Sequence, residues 1–391
     1  MNVALFTDTY PPFINGVSTS CYNLANSLKA HGHKVLVVAP RTTDGPLLYE
    51  DGVIWITGLE AKNFYGYRLA KPFDSKAYEI IKEFKPDIIH NQTDLTIGIF
   101  ARSVAKKLNI PLVYTYHTNY EDYTYIVTHG VLDRAAKKVV RIYSNAIANN
   151  ATEFITPSEK TKNFMRQTGS DKYVNCIPTG IDFSLFDDKN YDLERAKAFK
   201  KEHNIDDDTK IILVLGRLAK EKSIDVSLSF YSKFLSLNPN SKTIMLIVGD
   251  GPGRRELELL SHELHISKNV LFLGSCPANE VGFYYHLADV YTSASTTETQ
   301  GLTFMEAMAS GTTVLARYDD NLSGTIVDGQ TGFFFTDENS FIEKLELILN
   351  LSEEEKKTLK DNAYQIVDVY SLERFYNNII GVYKRAIKKC W

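Results

Sequence analysis

Short, unbroken apolar runs recur along the chain, each followed by a longer segment of helical spacing, and this alternation limits the fold more than any other feature. In the first half the runs are V-A-L-F (3–6), V-L-V-V-A (35–39), V-I-W-I (53–56), D-I-I-H (87–90), L-V-Y-T-Y (112–116) and E-F-I-T (153–156). A strand wetted on one face alternates apolar and polar residues, whereas a strand of a parallel sheet is covered on both faces and reads as continuous. Between the first two runs, V-S-T-S-C-Y-N-L-A-N-S-L-K-A-H-G (17–32) has helical spacing and ends on a glycine suited to a C-cap. The pattern restarts with I-I-L-V-L-G (211–216), T-I-M-L-I-V-G (243–249), V-L-F-L-G (270–274), D-V-Y-T (289–292) and T-V-L-A (313–316). The expectation is an α/β chain of two Rossmann-like, doubly wound parallel-sheet domains. A length of 391 residues agrees, being too great for one ordinary core. The charged segment 187–208 reads as a linker and leading helix, which divides the chain into 1–185 and 186–371. A final helix over 372–391 either completes the first domain or stays with the second.

Composition removes several classes. With 44% hydrophobic and 24% charged residues the chain is an ordinary folded protein. Cys21, Cys176, Cys276 and Cys390 are scattered, so neither a C-x-x-C metal or redox site nor a disulfide framework is indicated, and a reducing cytoplasm fits. Met1 leads directly into V-A-L-F without a basic n-region, and no run of about 18 apolar residues occurs, so neither export nor a membrane span is expected. The net charge of −4 conceals an asymmetry: residues 1–180 hold 20 Lys and Arg against 16 Asp and Glu, and the remainder 24 against 32. Different faces are suited to different partners.

In doubly wound sheets ligands lie beyond the carboxyl ends of the strands, and the chemically suggestive residues follow strands. After the first comes T-D-T-Y-P-P-F-I-N-G-V, where Gly16 precedes a helix and lets backbone amides approach an anion; taken alone, a Pro-rich turn is the more ordinary explanation, and only the neighbouring loops add weight to the first. His117, in Y-T-Y-H-T-N-Y-E-D-Y beside Tyr120, Glu121 and Asp122, is placed to meet a substrate hydroxyl or phosphate rather than to serve as a core histidine. In G-R-L-A-K-E-K-S, Arg217 and Lys222 are a possible diphosphate clamp, or a solvated loop neutralised by Glu221. G-D-G-P-G-R, with Gly249, Asp250 and Gly251, suggests a phosphate loop or a structural turn, but Arg254 stands where the dinucleotide pattern needs glycine.

The segment T-E-T-Q-G-L-T-F-M-E-A (297–307) is the most informative. Leu302, Met305, Met308 and Ala309 fall at helical spacing and Gly311 is the stop, so Glu298 lies on a loop and Glu306 one turn inside a helix. Two such carboxylates do not converge to the separation of about 5–5.5 Å that a retaining glycosidase needs. They read instead as hydroxyl acceptors flanking the amides of Gly301, Leu302 and Thr303, which suit an anion.

In this order, Gly16, His117, G-R-L-x-x-E-K, G-D-G-P and E-x(7)-E resemble the retaining GT-B glycosyltransferases of family four, over residues 1 to about 330. The resemblance implies two domains facing across a cleft and transfer of a hexose from a nucleotide sugar with its anomeric configuration kept. It implies that Glu298, Gln300, Gly301, Leu302 and Thr303 hold the donor sugar and Glu306 the ribose, with Arg217, Lys222, Gly16, Gly249, Asp250 and Gly251 around the diphosphate and His117 at the transferred sugar. H-T-N-Y-E-D-Y-T-Y-I and Gln300, where many relatives carry an aromatic, look like the diacylglycerol glucosyltransferase branch. That branch implies UDP-glucose as donor, diacylglycerol as acceptor, no cofactor, no metal and no nucleic acid. A polysaccharide, teichoic-acid or small soluble acceptor is the alternative, and an epimerase or inactive nucleotide-binding protein the remote one.

V-L-D-R-A-A-K-K-V-V-R-I-Y (131–143) puts Arg134, Lys137, Lys138 and Arg141 on one side of a helix and Val131, Leu132, Ala135, Val139 and Ile142 largely on another. Such a helix can lie on an anionic bilayer, and an ordinary packed surface helix is the competing reading. The expected location is the inner face of the cell membrane, as a peripheral protein.

Overall fold

The computed structural model describes residues 1–13, 15–60, 68–117, 133–296 and 298–390. The chain forms two compact units, Met1–Gly180 with Leu372–Trp391, and Ile181–Ser371.

The strands of the first unit are β1 (Asn2–Phe6), β2 (Lys34–Pro40), β3 (Leu48–Glu50), β4 (Val53–Ile56), β5 (Gly58–Glu60), β6 (Arg68–Ala70), β7 (Ile88–Asn91), β8 (Leu112–Thr115), β9 (Glu153–Thr156) and β10 (Val174–Cys176). The main sheet has the order β10-β9-β8-β7-β1-β2-β4-β3, parallel except where β3 runs against β4, and β5 and β6 pair separately. β1 lies inside this sheet and explains its own sequence. Val3 and Leu5 pack on one face with Leu24 and Leu28 of the helix Gly16–Ala30 and with Phe375, Ile379 and Tyr383. Ala4 and Phe6 pack on the other with Ile81, Phe100 and Val104.

The helix Leu372–Cys390 therefore belongs to the N-terminal unit, and polar contacts fix it there. Tyr383 Oη and His90 Nδ1 are 2.7 Å apart in the core. Glu153, 2% exposed at the start of β9, accepts from Lys389 Nζ at 2.8 Å and Asn175 Nδ2 at 3.0 Å, with Arg385 Nε at 3.7 Å. Burial pushes the Glu153 pKa up, but the hydrogen bonds from Lys389 and Asn175 and the charges of Lys389 and Arg385 outweigh it, leaving it below 4.5. Its contribution to stability is then complete above about pH 4.5 and fades as pH falls through the depressed value. Replacing Lys389 and Arg385 by methionine strands this carboxylate and is expected to cost about 2–3 kcal/mol, below the range for fully buried pairs because both cations are half exposed. Urea melts at about pH 7 measure the loss, which shrinks below about pH 4 as the carboxylate protonates.

In the second unit β11 (Lys210–Leu215), β12 (Thr243–Val248), β13 (Val270–Gly274), β14 (Val290–Ser293), β15 (Thr313–Arg317) and β16 (Phe333–Phe335) form an all-parallel sheet of order β13-β12-β11-β14-β15-β16. Ile211 and Leu213 face one apolar cluster, and Ile212 and Val214 the other. The charged segment after residue 180 is anchored here, since Ile181, Phe186, Ala196 and Ile205 are buried in this unit's core. Among the described residues no helix is long and apolar enough to cross a membrane.

Candidate functional site

The carboxyl ends of β11 and β12 approach closely because glycine allows it. A methyl group on Gly249 (φ +140°) would stand 1.8 Å from the Gly216 carbonyl oxygen, and one on Gly251 2.4 Å from the Leu218 carbonyl oxygen. No side chain fits at either position. The Gly249 amide donates to the Gly274 carbonyl at 2.7 Å, and the Gly251 amide to Asp250 Oδ1 at 2.7 Å. The G-D-G-P segment is thus a turn whose two glycine amides bond within the protein, and the helix Arg254–Glu263 follows it.

Two helices start beside this junction without a side-chain cap, Ile224–Leu237 from Ser223 and Leu302–Ala309 from Gly301. Gly301 has φ +76°, and a methyl there would meet Leu322 at 2.6 Å. The leading amides of an uncapped helix point outward and favour an anion. Gly216, Arg217, Lys222, Ser227, Glu298 and Thr303 line one recess at this place. The structure therefore brings together Arg217 and Lys222 from the loop after β11, Glu298 from the loop after β14 and Thr303 from the first turn of the helix that follows. Gly249, Asp250, Gly251, Gln300, Leu302 and Glu306 are not among its lining residues.

Charge in the recess is balanced internally. Lys222 Nζ donates to Glu298 Oε1 at 2.7 Å, with the carboxylate 8% exposed at residue level, and Arg217 is paired with buried Glu221. The Glu298 carbonyl is held by Asn321 Nδ2, from the loop after β15. Gln300 is buried, its Nε2 3.9 Å from Met305 Sδ. Glu306 keeps some solvent exposure, yet burial of its carboxyl pushes its pKa up to about 7, opposed by a hydrogen bond from Tyr285 Oη to Oε2 at 3.0 Å. Thr303 Oγ1 accepts from Tyr291 Oη at 2.7 Å. Asn321, Tyr285 and Tyr291 carry no sequence signal for this place; the tyrosines read as core.

In the N-terminal unit Gly16 is the first residue of its helix, and Asn15 caps it by accepting from the Ser18 amide at 2.8 Å. His117 follows β8, and its Nε2 lies 2.7 Å from Oε1 of buried Gln92. Desolvation lowers the His117 pKa to about 4, so the ring is neutral at pH 7. A proton on Nε2 for Gln92 leaves Nδ1 as the acceptor. Gln92 is another contributor hidden in the sequence, 25 positions from the histidine it holds. Tyr120, Glu121 and Asp122 lie outside the described residues, as do Val131 and Leu132. The basic segment forms the helix Asp133–Asn150, longer than the sequence pattern suggests. Arg134, Lys138 and Arg141 are exposed on it and Lys137 half-buried, while Val139 and Ile142 are also exposed, at 66% and 62%.

Two parallel-sheet α/β units, one carrying an anion-friendly recess edged by Arg, Lys and Glu, define the class of GT-B transferases. Solved structures share the architecture: the Anabaena protein Alr3699/HepE in complex with UDP and glucose (TM-score 0.75, 17% identity, 97% of this chain and 98% of that one) and the sucrose-phosphate synthase of Thermosynechococcus elongatus (TM-score 0.76, 20% identity, 99% of both). The family models for glycosyltransferase family 4 and for glycosyl transferases group 1 match residues 14–185 and 196–366. The chain is 34% identical to an alpha-monoglucosyldiacylglycerol synthase of Acholeplasma laidlawii, over 100% of this chain and 98% of that protein. It is 33% identical to the protein of the same name in Streptococcus pneumoniae, over 99% and 86%. The chain belongs to the family 4, group 1 glycosyltransferases.

Proposed function

We propose that the protein is a retaining glucosyltransferase that transfers glucose from UDP-glucose to diacylglycerol at the inner membrane surface, forming alpha-monoglucosyldiacylglycerol. The observation that carries the donor half is the convergence of Arg217, Lys222, Glu298 and Thr303 on one recess between uncapped helix starts. The names of the two full-length relatives support the acceptor.

Glu298 and the amides of Gly301, Leu302 and Thr303 hold the sugar, Glu306 the ribose, and Arg217 and Lys222 the diphosphate. The bond from the anomeric carbon to the diphosphate oxygen breaks, its electron pair going to the leaving group. The acceptor hydroxyl bonds to the same face of that carbon, and its proton passes to the departing diphosphate. Negative charge grows on the diphosphate as the bond opens, so cations fixed there stabilise the transition state more than the ground state. His117 accepts a hydroxyl of the transferred sugar through Nδ1. G-D-G-P and Gly16 contribute backbone to the diphosphate subsite.

The exposed pairing of Val139 and Ile142 with Arg134, Lys138 and Arg141 supports contact with an anionic bilayer. Purified protein given UDP-glucose and diacylglycerol in anionic vesicles is expected to form a single-glucose lipid. Transfer only to a soluble sugar, teichoic acid or polyprenyl acceptor would replace the lipid acceptor and keep the donor site.

A further inference from the structure

Tyr285 lies in the short helix Val281–Leu287 and Tyr291 in β14, and both are buried, Tyr291 at the edge of the recess. Their rings meet edge to face, with centroids 5.5 Å apart at 73°. Tyr285 also meets Phe186 at 6.0 Å, and Tyr291 meets Phe304 at 5.4 Å. The Tyr285 carbonyl accepts from Thr312 Oγ1 at 2.6 Å, which fixes the backbone beneath the ring. Each phenol then donates to one helix, Leu302–Ala309: Tyr285 to Glu306 Oε2 at 3.0 Å and Tyr291 to Thr303 Oγ1 at 2.7 Å. Thr303 and Glu306 are three positions apart and share a helix face. Phenylalanine would fill either site without burying a hydroxyl, which is unfavourable unless it is bonded. The hydroxyls are explained by what they hold.

We propose that Tyr285 and Tyr291 are positioning residues for the donor: Tyr285 fixes the Glu306 carboxylate by one oxygen so that the other reads a ribose hydroxyl, and Tyr291 orients Thr303. This rests on the assignment of Glu306 to the ribose. Tyr285 also favours the ionised form of Glu306. The titratable groups facing that carboxylate are Tyr285, Tyr291 and Cys276, and burial keeps all three neutral at pH 7, so none repels it. Burial alone raises the Glu306 pKa, and the Tyr285 hydrogen bond opposes that rise. Tyr285→Phe therefore raises the Glu306 pKa further, shifts the carboxyl towards its protonated form at neutral pH and weakens it as an acceptor.

The test is calorimetric titration with UDP and with its 2′-deoxy and 3′-deoxy forms, between about pH 6.5 and 9. The preference for UDP over the deoxy form with the larger penalty cancels the phosphate titration common to all three. In Tyr285→Phe this preference is expected to drop about tenfold near pH 7 and to recover towards pH 9. An unchanged preference, or an equal loss at both ends of the range, overturns the proposal, because a merely structural defect does not follow Glu306 ionisation. In the unaltered protein the preference must rise with pH through about 7, and a flat profile overturns it without any variant. Glu306→Gln separates the two readings. If it leaves the preference intact, the ribose assignment itself is wrong; if it removes the preference while Tyr285→Phe does not, only the role of the tyrosine is.

Discussion

Lys222→Ala is expected to lower kcat by about 10²–10³-fold at saturating UDP-glucose, the range measured when one fixed donor to developing negative charge is removed. Lys222 stands on the loop after β11, with Nζ 2.7 Å from Glu298 Oε1. In the proposed reaction its charge matters most as the diphosphate departs, so the loss appears in kcat more than in donor KM. The same substitution also leaves the Glu298 carboxylate without its cation. The Glu298 side chain is only 10% exposed, so a fall in thermal stability accompanies the loss of rate. The two effects separate in Lys222→Met/Glu298→Gln, where two neutral side chains of similar volume replace the ion pair. That variant is expected to regain most of the lost stability and none of the turnover. A single variant retaining more than about a tenth of kcat would remove Lys222 from the leaving-group role. Arg217 provides a parallel case, since its partner Glu221 is also buried.

The sheets were legible in the sequence because their strands are covered on both faces. V-A-L-F and V-L-V-V-A read as continuous since residues of β1 and β2 alternate between two apolar clusters, with no solvent face to interrupt them. The short pieces were not legible. β3, with all three residues exposed, has no apolar pattern, while β5, β6, β10 and β16 are three-residue strands defined by their partners. The turn at Gly301 was legible because a left-handed residue before a helix and Gly311 after it bracket an apolar stripe. Its supports were not: the tyrosine of V-Y-T-S is indistinguishable by pattern from a core aromatic, and only the fold brings Tyr285 and Glu306, 21 positions apart, within a hydrogen bond. Gln92 and Asn321 were hidden for the same reason. They bond to His117 and to the Glu298 carbonyl over separations of 25 and 23 positions.

Val139→Asp/Ile142→Asp is expected to reduce binding to anionic vesicles by about 10²-fold or more. Both side chains are mostly exposed on the helix Asp133–Asn150, so the substitutions leave the core intact. Inserting each apolar side chain into a bilayer interface contributes about 1.5–3 kcal/mol, and an aspartate there adds repulsion from anionic lipid. Charge reinforces the direction of docking. The N-terminal unit, including the C-terminal helix, holds 25 Lys and Arg against 17 Asp and Glu, whereas the C-terminal unit holds 19 against 31. An anionic surface therefore attracts the first unit and repels the second. Because Arg217, Lys222 and Glu306, which hold the nucleotide in the proposed reaction, all belong to the second unit, UDP binding should be unaffected, while transfer to diacylglycerol in vesicles falls with vesicle binding. Raising salt to about 1 M shortens the screening length to about 3 Å and should weaken the unaltered protein's binding, leaving only its apolar part. Flotation with and without the two aspartates measures that part directly, and equal flotation of both proteins would place the lipid contact elsewhere on the unit.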